Sequence, residues 1–480
     1  TVQIRVRPVH PVIERRALIA NNSARPMRAV RLDSVSLGMV APVTPAWEVS
    51  AVSSDGVVRQ ATPLSGQSVV ALASLVSGVA QESIPYLVVR DTRTGHGLFA
   101  GLRWSSNWYL SATMESDEIP YLRCGLHLDD SEDDSLILAP DSLVQGPWSF
   151  IGFFAGDSDD AAHVVYDYVE DTARPHPPWF VGPPVVWNSW FAYLTEVEEA
   201  RLLADAYLAA QLGVEVFYVD YGWSSLLGDW KPDPLHFPNG LKPLVNRVHD
   251  LGMKFGLWVA FGDALAGSTL LQDHPDFLAI QPEPAAVGID GAQVFCLTQA
   301  EDWISSELDR IVTDYHVDWL KFDQPMITAC RATDHSHEPN RAGSLLANNM
   351  AFYRILERLS SKHPDMVIEN CFNGAGYLDY GVRRYTNVSW LTDDSGNSAT
   401  ALARVQQTFY GISYGFRPSY LQQWLAAVIG IPSAPGRTTS LRDLSYQGFT
   451  SMVGAWGISL PLSELDEDQL ALVAGFVSQY

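Results

Sequence analysis

From Pro184 onward, short apolar runs alternate with longer amphipathic stretches, and this alternation restricts the fold more than any other feature of the sequence. A regular succession of strand, loop and helix is typical of parallel β/α units. Six apolar runs predict buried strands, and two weaker ones follow: 185–189, 215–220, 254–260, 317–323, 366–371, 387–393, then 419–425 and 451–458. Eight such strands predict an α/β fold with a closed (β/α)8 TIM barrel.

Between these runs, apolar residues recur at i, i+3 and i+4, the spacing of one helix face. The pattern predicts helices over residues 196–212, 241–251, 302–315 and 341–359. Gly213 and Gly252 stand where two of these helices should end, as glycine commonly does at a helix C-terminus.

Residues 1–178 have a different texture, with short apolar or alternating runs separated by turn residues and no long helical period. This pattern predicts an N-terminal all-β sandwich domain, with strands near 1–6, 69–72, 86–89 and 148–154. The segment 104–108 carries two tryptophans that we interpret as core packing. Prolines at 175, 177 and 178 form a stiff joint, so we place the boundary there: a sandwich over 1–178 and the barrel over 179–480.

The charge balance excludes some partners. The chain has 31 Lys and Arg against 55 Asp and Glu, a formal net charge of -24. This excess of negative charge would repel phosphate backbones and anionic membranes, so we expect neither a nucleic acid nor a membrane as partner. Homo-oligomerisation is left open by the sequence.

The cysteines and the N-terminal residues bear on cofactors and compartment. Cys124, Cys296, Cys330 and Cys371 show no CxxC pair and no histidine spacing, so we expect neither a zinc site nor disulfides, and no cofactor. No run of eighteen apolar residues exists, and the first residues lack the pattern of a signal peptide, which predicts a cytoplasmic protein.

The ends of the predicted strands are polar, and in barrels of this type the functional groups come from those ends. They carry Asn188, Asp220, Asp323, Glu369 with Asn370, and Asp393 with Asp394. Tryptophans stand on or beside the same strands, at 187, 223, 258, 319 and 390. Carboxylates, amides and flat apolar rings around one mouth suit a ligand that has both hydroxyls and apolar faces, so we expect a carbohydrate.

Glycoside hydrolysis requires two carboxyl groups on either side of the bond, about 5 Å apart when the anomeric configuration is retained. Asp323 is our candidate nucleophile, because Lys321 projects to the same side of the strand and would keep it ionised. Asp393 or Asp394 would be the general acid and base. The alternative role for this pair is to cap the helix predicted from about residue 399, which suits Asp394 better than Asp393.

Six motifs in a fixed order resemble glycoside hydrolase family 36, the retaining α-galactosidase family. They are DYGW at 220–223, GDWKPD at 228–233, FPNGLKP at 237–243, LGMKFGLW at 251–258, LKFD at 320–323 and WLTD at 390–393. The resemblance implies a β-sandwich, a barrel and a small C-terminal β domain. The chain ends at Tyr480, about where relatives enter that last domain, so we expect it to be absent, shortened or located beyond Tyr480.

The same resemblance implies roles for individual residues. Asp323 falls on the family's nucleophile and Asp393 on its acid/base. Together with two residues of the first strand, the candidate substrate-binding set is Asp220, Tyr221, Trp223, Trp258, Lys321, Cys371, Gly374, Trp187 and Asn188.

Three departures from the family pattern affect sugar recognition. Tyr221 replaces an Asp that binds the 4- and 6-hydroxyls in relatives, which removes a charged acceptor from the pocket. Residues 259–263 read VAFGD where relatives continue with Glu-Pro-Glu, and Phe372 and Asn373 alter the loop near the 2-position.

Three readings follow from these residues. The first is a retaining α-glycosidase acting on terminal galactose or a related glycone, such as α-N-acetylgalactosaminide, β-L-arabinopyranoside or a C6-modified sugar. The second is a transglycosylase of the raffinose-synthase type, which would use the same two carboxylates. The third is an inactive sugar-binding protein, against which the presence of both Asp323 and Asp393 argues.

The segment His335-Ser-His337-Glu338 could suggest a metal site. Two histidines at i and i+2 share a face only on a strand, and this polar segment before Pro339 does not have a strand pattern. We therefore interpret it as a loop after the fourth strand.

Overall fold

In a computed structural model of the chain, the structure describes residues 1–39, 46–53, 58–63, 69–74, 83–114, 119–281, 287–323, 327–393, 399–426 and 440–480. The first part of this structure is built from antiparallel sheets, and the second is a closed barrel of parallel strands.

The larger N-terminal sheet has eight strands. In spatial order they are Val2–Arg7, Val12–Ala20, Trp148–Ala155, His96–Arg103, Ser83–Asp91, Trp47–Ser53 and Val58–Pro63, with Leu143–Gln145 also paired to the second. A four-stranded sheet has the order Leu32–Gly38, Pro120–Leu126, Trp108–Met114 and Val69–Ser74, and Leu136–Leu138 pairs with Met27–Ala29.

The two larger sheets share one apolar core. Leu87 and Leu102 of the larger sheet are buried in the same cluster as Leu110 and Leu122 of the smaller one. In the strand Ser83–Asp91, side chains alternate between this core and the opposite face, where Tyr86 and Val88 are buried in a second apolar cluster. Both tryptophans of the 104–108 segment lie in this core, which confirms their interpretation as core residues.

A helix at Ser158–Thr172 shows that the all-β prediction for residues 1–178 was wrong in this segment. The Asp157 side chain caps the helix by accepting hydrogen bonds from the backbone N–H groups of Asp159 and Asp160. In turn, the Asp160 side chain accepts a hydrogen bond from the backbone N–H of Asp157. Its buried face includes Val165 and Tyr168, at helical spacing. The boundary at 178/179 remains a prediction.

Eight parallel strands close the barrel, and they confirm all eight predicted apolar runs. They are Val186–Asn188, Val216–Val219, Lys254–Ala260, Trp319–Asp323, Val367–Asn370, Val388–Trp390, Leu421–Leu425 and Ala455–Ile458. Almost every residue in these strands is buried, because side chains fill the barrel on one face and contact the helices on the other.

The helices that follow the strands cover the barrel. They are Trp190–Tyr193, Glu199–Leu212, Lys242–Asp250, Thr269–Asp273, Leu297–Asp314, Arg341–Lys362, Phe372–Ala375, Ala399–Ile412, Leu441–Ser451 and Glu467–Gln479. Short 3₁₀ turns occur at Pro275–Phe277, Ile289–Gly291, Val382–Arg384, Pro418–Tyr420 and Leu462–Glu464, and Asp263–Ala264 pairs with Gln293–Val294. Gly213 and Gly252 have φ of +90° and +85°, as predicted for residues that end helices.

Among the described residues, no helix combines the length and the apolar composition needed to cross a lipid bilayer.

Candidate active site

The C-terminal ends of the barrel strands form one mouth, since all eight strands are parallel. Asn188 and Asp323 are the last residues of the first and fourth strands, and Asp220 directly follows the second. Asp393 comes three residues after the end of the sixth strand. The structure therefore brings the predicted polar strand ends to the same mouth.

Lys321 lies buried beneath this mouth and joins the second and fourth strands. Its Nζ is 3.4 Å from Oδ2 of Asp220, and the same oxygen accepts a hydrogen bond of 2.8 Å from the Asn188 side-chain amide. The other oxygen of Asp220 accepts the Tyr221 backbone N–H at 2.9 Å. Burial alone would lower the pKa of Lys321, but the negative charges around it, with Asp220 first, raise that pKa above its usual value.

Glu369 is a second buried partner of this ammonium group, 3.8 Å from Nζ of Lys321. Its Oε2 accepts a hydrogen bond of 2.6 Å from the Trp319 indole, and the Gln422 amide, with its nitrogen turned toward Glu369, is 3.1 Å from Oε1. Burial raises the pKa of Glu369 to about 7, against the opposing effect of Lys321. Trp319 and Lys321 thus share one strand face, as the strand pattern predicted.

Asp323 is buried at the lip of the fourth strand. Its Oδ2 accepts a hydrogen bond of 3.3 Å from the indole Nε1 of Trp258 on the neighbouring third strand. The sequence predicted an ammonium group beside Asp323. The described ion pairs of Lys321 are with Asp220 and Glu369, while Asp323 acts on Lys321 as one of the charges that raise its pKa.

Asp393 reaches the mouth from the loop after the sixth strand. Its Oδ1 accepts a hydrogen bond of 2.8 Å from the Trp390 indole. Although the residue is exposed at the mouth, its carboxyl group lies among protein atoms, and this burial raises its pKa, as does the charge of Asp323. The two carboxyl groups therefore reach the same mouth, one from the end of the fourth strand and one from the loop after the sixth.

Gly374 fits closely against Asp393. It has φ of +73°, and a Cβ at this position would lie 2.8 Å from the backbone N of Asp393 and 3.2 Å from its carboxyl carbon. Glycine is required here both by the backbone conformation and by the close approach.

Aromatic rings line one side of the mouth. The Tyr221 ring lies 4.8 Å from that of Trp258 and 6.1 Å from that of Trp190, measured between centroids. The Tyr221 hydroxyl donates a hydrogen bond of 2.6 Å to Asp290, on the turn at Ile289–Gly291. Tyr221 is therefore held by a loop that also borders the mouth.

Two further tryptophans lie over the Lys321 ammonium group. Its Nζ is 4.4 Å from the ring centroid of Trp424 and 5.0 Å from that of Trp390. Cys371 is buried against both rings, and burial raises the pKa of its thiol well above the usual value.

Two candidate substrate-binding residues are not brought to this mouth. Trp187 alternates with Asn188, stacks on Phe217 at 4.3 Å and donates to the Leu460 carbonyl. Trp223 donates to the Trp258 carbonyl and packs near Trp230, so it supports the end of the third strand from behind. Both tryptophans contribute to the packing of the barrel, because a tryptophan next to a strand end can project to either side of the strand.

Some residues of the site had no role assigned from the sequence. Glu369 was recognised only as a polar strand end, and Trp424 lies on a strand that had a weak pattern. Asp263 is fully buried, and burial raises its pKa well above the usual range. Its only signal was its place in the divergent segment 259–263.

The arrangement combines a buried carboxyl group held by an indole N–H with a second carboxyl group whose pKa is raised. A pair of titratable groups whose environments differ in this way suits nucleophilic attack by one and proton transfer by the other. The buried carboxylate, amide and ammonium group below them offer donors and acceptors for hydroxyl groups, and the rings offer apolar faces.

Comparison with known proteins gives a family match over the whole barrel region and the residues just before it. A model of the melibiase family matches residues 145–480. Alpha-galactosidase 2 of Pediococcus pentosaceus is 27% identical over 413 residues, which cover 82% of this chain and 54% of the relative. The alpha-galactosidase of Escherichia coli is 27% identical over 394 residues, 79% of this chain and 53% of the relative. The chain thus spans about half the length of these curated relatives.

Solved structures share the fold along the whole chain. The GH36 alpha-galactosidase AgaA from Geobacillus stearothermophilus aligns over 100% of this chain and 67% of its own, with a TM-score of 0.84 and 21% identity. An AgaA variant in complex with stachyose aligns with a TM-score of 0.85 at 20% identity, again over 100% of this chain and 67% of its own.

Proposed function

Because the chain belongs to the melibiase family, the resemblance to glycoside hydrolase family 36 is confirmed, and we propose that the protein is a retaining α-glycosidase. Its substrate is a carbohydrate with a terminal, non-reducing α-galactosyl or closely related residue. Relatives named alpha-galactosidases and a structural neighbour in complex with stachyose support this substrate class.

The observation that carries the proposal is that Asp323 and Asp393 reach one mouth of the barrel, from the end of the fourth strand and from the loop after the sixth. The raised pKa of Asp393 favours a proton on this group, as a general acid needs. Trp258 donates a hydrogen bond to Asp323, which favours the charged form that a nucleophile needs.

In the first step, a carboxylate oxygen of Asp323 attacks the anomeric carbon while Asp393 gives its proton to the glycosidic oxygen. The bond from the anomeric carbon to that oxygen breaks, the aglycone leaves, and a glycosyl ester forms on Asp323. Asp393, now ionised, then takes a proton from water, which attacks the anomeric carbon and releases Asp323. Two inversions give net retention.

The remaining residues of the mouth bind the sugar. Asp220 accepts hydrogen bonds from its hydroxyl groups and Lys321 donates to them, since this buried ion pair lies at the strand ends below the mouth. The Trp258 and Tyr221 rings pack on its apolar face.

One observation favours a second candidate with the same chemistry on another glycone. The Tyr221 hydroxyl is bonded to Asp290, and its ring occupies space beside Trp258, so this position offers a bulky neutral group where relatives have a carboxylate. A pocket altered in this way suits an N-acetylgalactosamine, an L-arabinopyranose or a C6-modified sugar.

The test is hydrolysis of a panel of nitrophenyl glycosides, with the first-formed anomer followed by proton NMR. We expect release from the α-galactoside, with α-galactose as the first product. A clear preference for another glycone supports the second candidate, and diversion of product to oligosaccharide by an added sugar acceptor indicates a transferase. No turnover of any glycoside, or a first product of inverted configuration, would contradict the proposal.

A further inference from the structure

Two cysteines and two histidines come together outside the candidate active site. They are Cys296, Cys330, His335 and His337, and one ligand atom from each lies within 4.8 Å of the others. Sγ of Cys296 is 3.2 Å from Nε2 of His337, and Sγ of Cys330 is 3.4 Å from Nδ1 of His335. Two residues of this group belong to the loop segment that the sequence analysis considered for a metal and set aside.

The geometry points to a structural zinc site formed by these four residues, and we propose that the protein binds one Zn²⁺ there. Zinc bonds of about 2.3 Å to sulfur and about 2.0 Å to nitrogen place tetrahedral ligand atoms roughly 3.3 to 3.8 Å apart. The two sulfur-to-nitrogen distances above fall near this range, and the remaining pairs, all within 4.8 Å, need only small side-chain movements to reach it. Two thiolates and two neutral imidazoles also cancel the charge of the ion, which permits its burial.

A hydrogen bond next to the site determines which ring nitrogen of His337 is free to bind a metal. Nδ1 of His337 lies 2.9 Å from the Glu338 carbonyl, to which its N–H can donate, so that Nε2 keeps its lone pair for a metal. Cys296 is the N-cap residue of the helix Leu297–Asp314, so its sulfur lies at the start of that helix.

The buried side-chain amide of Asn348 lies next to Cys296. The Asn348 oxygen accepts the Thr298 backbone N–H at 3.0 Å, and its nitrogen donates to the Thr328 carbonyl at 2.8 Å. The same oxygen is 3.5 Å from Sγ of Cys296. This amide thus links the helix start to the loop that carries the other three ligands.

Both cysteines are buried in a small apolar cluster with Ala332, and both histidines are half-buried. Four protein ligands fill a tetrahedral shell and leave no open position, which is the mark of a structural site and not of a catalytic one. The ion would fasten the loop after the fourth strand, the strand that carries Asp323, to the start of the helix Leu297–Asp314, which precedes that strand in the chain.

The sequence analysis set these histidines aside because residues at i and i+2 share a face only on a strand. That argument does not apply here, because a loop can bring both rings to one point. His335 and His337 lie in a bend, offer different ring nitrogens, and have ring planes 90° apart. Cys296 comes from a distant part of the chain, so no local spacing could show the group.

The test begins with zinc content. The full chain, produced with added zinc and purified under reducing conditions without chelator, should contain one zinc ion per chain. Cys330→Ser and His337→Asn each remove one of the four ligands, so each should weaken zinc binding by more than about tenfold and lower the zinc content of the purified chain. Cys124→Ser is the matched control, because Cys124 is a buried free cysteine in the N-terminal sandwich and should leave the zinc content unchanged.

Measurements on the unmodified protein decide the matter if those variants fail to fold. Cobalt substituted for zinc should show tetrahedral d–d absorption together with thiolate-to-cobalt charge transfer. Removal of zinc with a chelator should make Cys296 and Cys330 react with iodoacetamide, as mapped by peptide mass spectrometry, and leave Cys124 unchanged. Absence of zinc in the folded, reduced protein, unaltered zinc content in both ligand variants, or a Cys296–Cys330 disulfide in the purified protein would overturn the proposal.

Discussion

The indole N–H of Trp258 donates to Oδ2 of Asp323 across 3.3 Å, from one barrel strand to its neighbour. The two strands are in register, with Ala260 opposite Asp323, so the bond lies at the lip of both. A donor that approaches one carboxylate oxygen favours the ionised form of Asp323 and fixes its orientation. The predictions below follow from this carboxylate and the groups around it.

Asp393→Ala should mainly impair substrates with poor leaving groups. Loss of the general acid should lower kcat/KM for an oligosaccharide by roughly 10²- to 10⁴-fold, but much less for a dinitrophenyl glycoside, whose leaving group needs no proton. Kinetics over a series of aryl glycosides measures this dependence. Asp394→Ala is the control; Asp394 lies outside the described residues, and if this variant shows the leaving-group dependence, the assignment is off by one.

Tyr221→Asp should raise activity on α-galactosides relative to other glycones. The substitution removes the ring beside Trp258 and introduces a carboxylate where family relatives have one. Tyr221→Phe keeps the ring and loses only the hydrogen bond to Asp290, so it should leave the preference among glycones nearly unchanged. Comparison of kcat/KM over the glycoside panel tests this, and equal preferences in all three proteins would show that Tyr221 does not set specificity.

Gly374→Ala should impair catalysis by displacing Asp393, since the added Cβ would lie 2.8 Å from its backbone N. Gly240→Ala is a matched control: Gly240 has φ of +70°, close to the +73° of Gly374, and no atom lies within 4 Å of its Cβ position. Both variants should lose about 1–2 kcal/mol of stability from the left-handed backbone. Only Gly374→Ala should also lose activity, by at least about tenfold, and equal activity losses would contradict the account.

Glu369→Gln should change how stability depends on pH. Because burial raises the pKa of Glu369 from 4.5 to about 7, the folded state holds a proton that the unfolded state has lost between these values. The contribution of this proton to the free energy of unfolding is therefore fully present below pH 4.5, and it is lost as the pH rises through 7. Between pH 5.5 and 8, the wild type should lose about 2 kcal/mol relative to Glu369→Gln, measured by urea unfolding. A constant difference over this range would refute the raised pKa.

The sequence predicted the barrel well because its strands are buried on both faces and show continuous apolar runs. The third strand has the predicted bounds, Lys254–Ala260, and the helix Arg341–Lys362 begins where its spacing indicated. The helix Ser158–Thr172 was missed, although Asp157 and Asp160 form a capping box before a face with helical spacing. The segments before this helix have strand patterns, and the prediction extended the same interpretation to it.

The site was predictable at strand ends and less so elsewhere. Asp220 and Asp323 lie at the mouth because parallel strands must end together, whereas Trp187 and Trp223 show that the direction of a side chain beside a strand end depends on packing. The partnership of Tyr221 with Asp290 and the group around Cys296 join distant segments through loops. No local pattern encodes such contacts. The cytoplasmic location stays a prediction.

The most direct test of the central claim is chemical rescue of Asp323→Ala. The variant should lose nearly all turnover of an activated α-glycoside, and added azide should restore part of it by entering the space left by the carboxylate. Because azide attacks once, from the face that Asp323 occupied, NMR should identify the product as the β-glycosyl azide. Rescue that gives the α-glycosyl azide, or wild-type turnover in Asp323→Ala without azide, would contradict the assignment of Asp323 as the nucleophile.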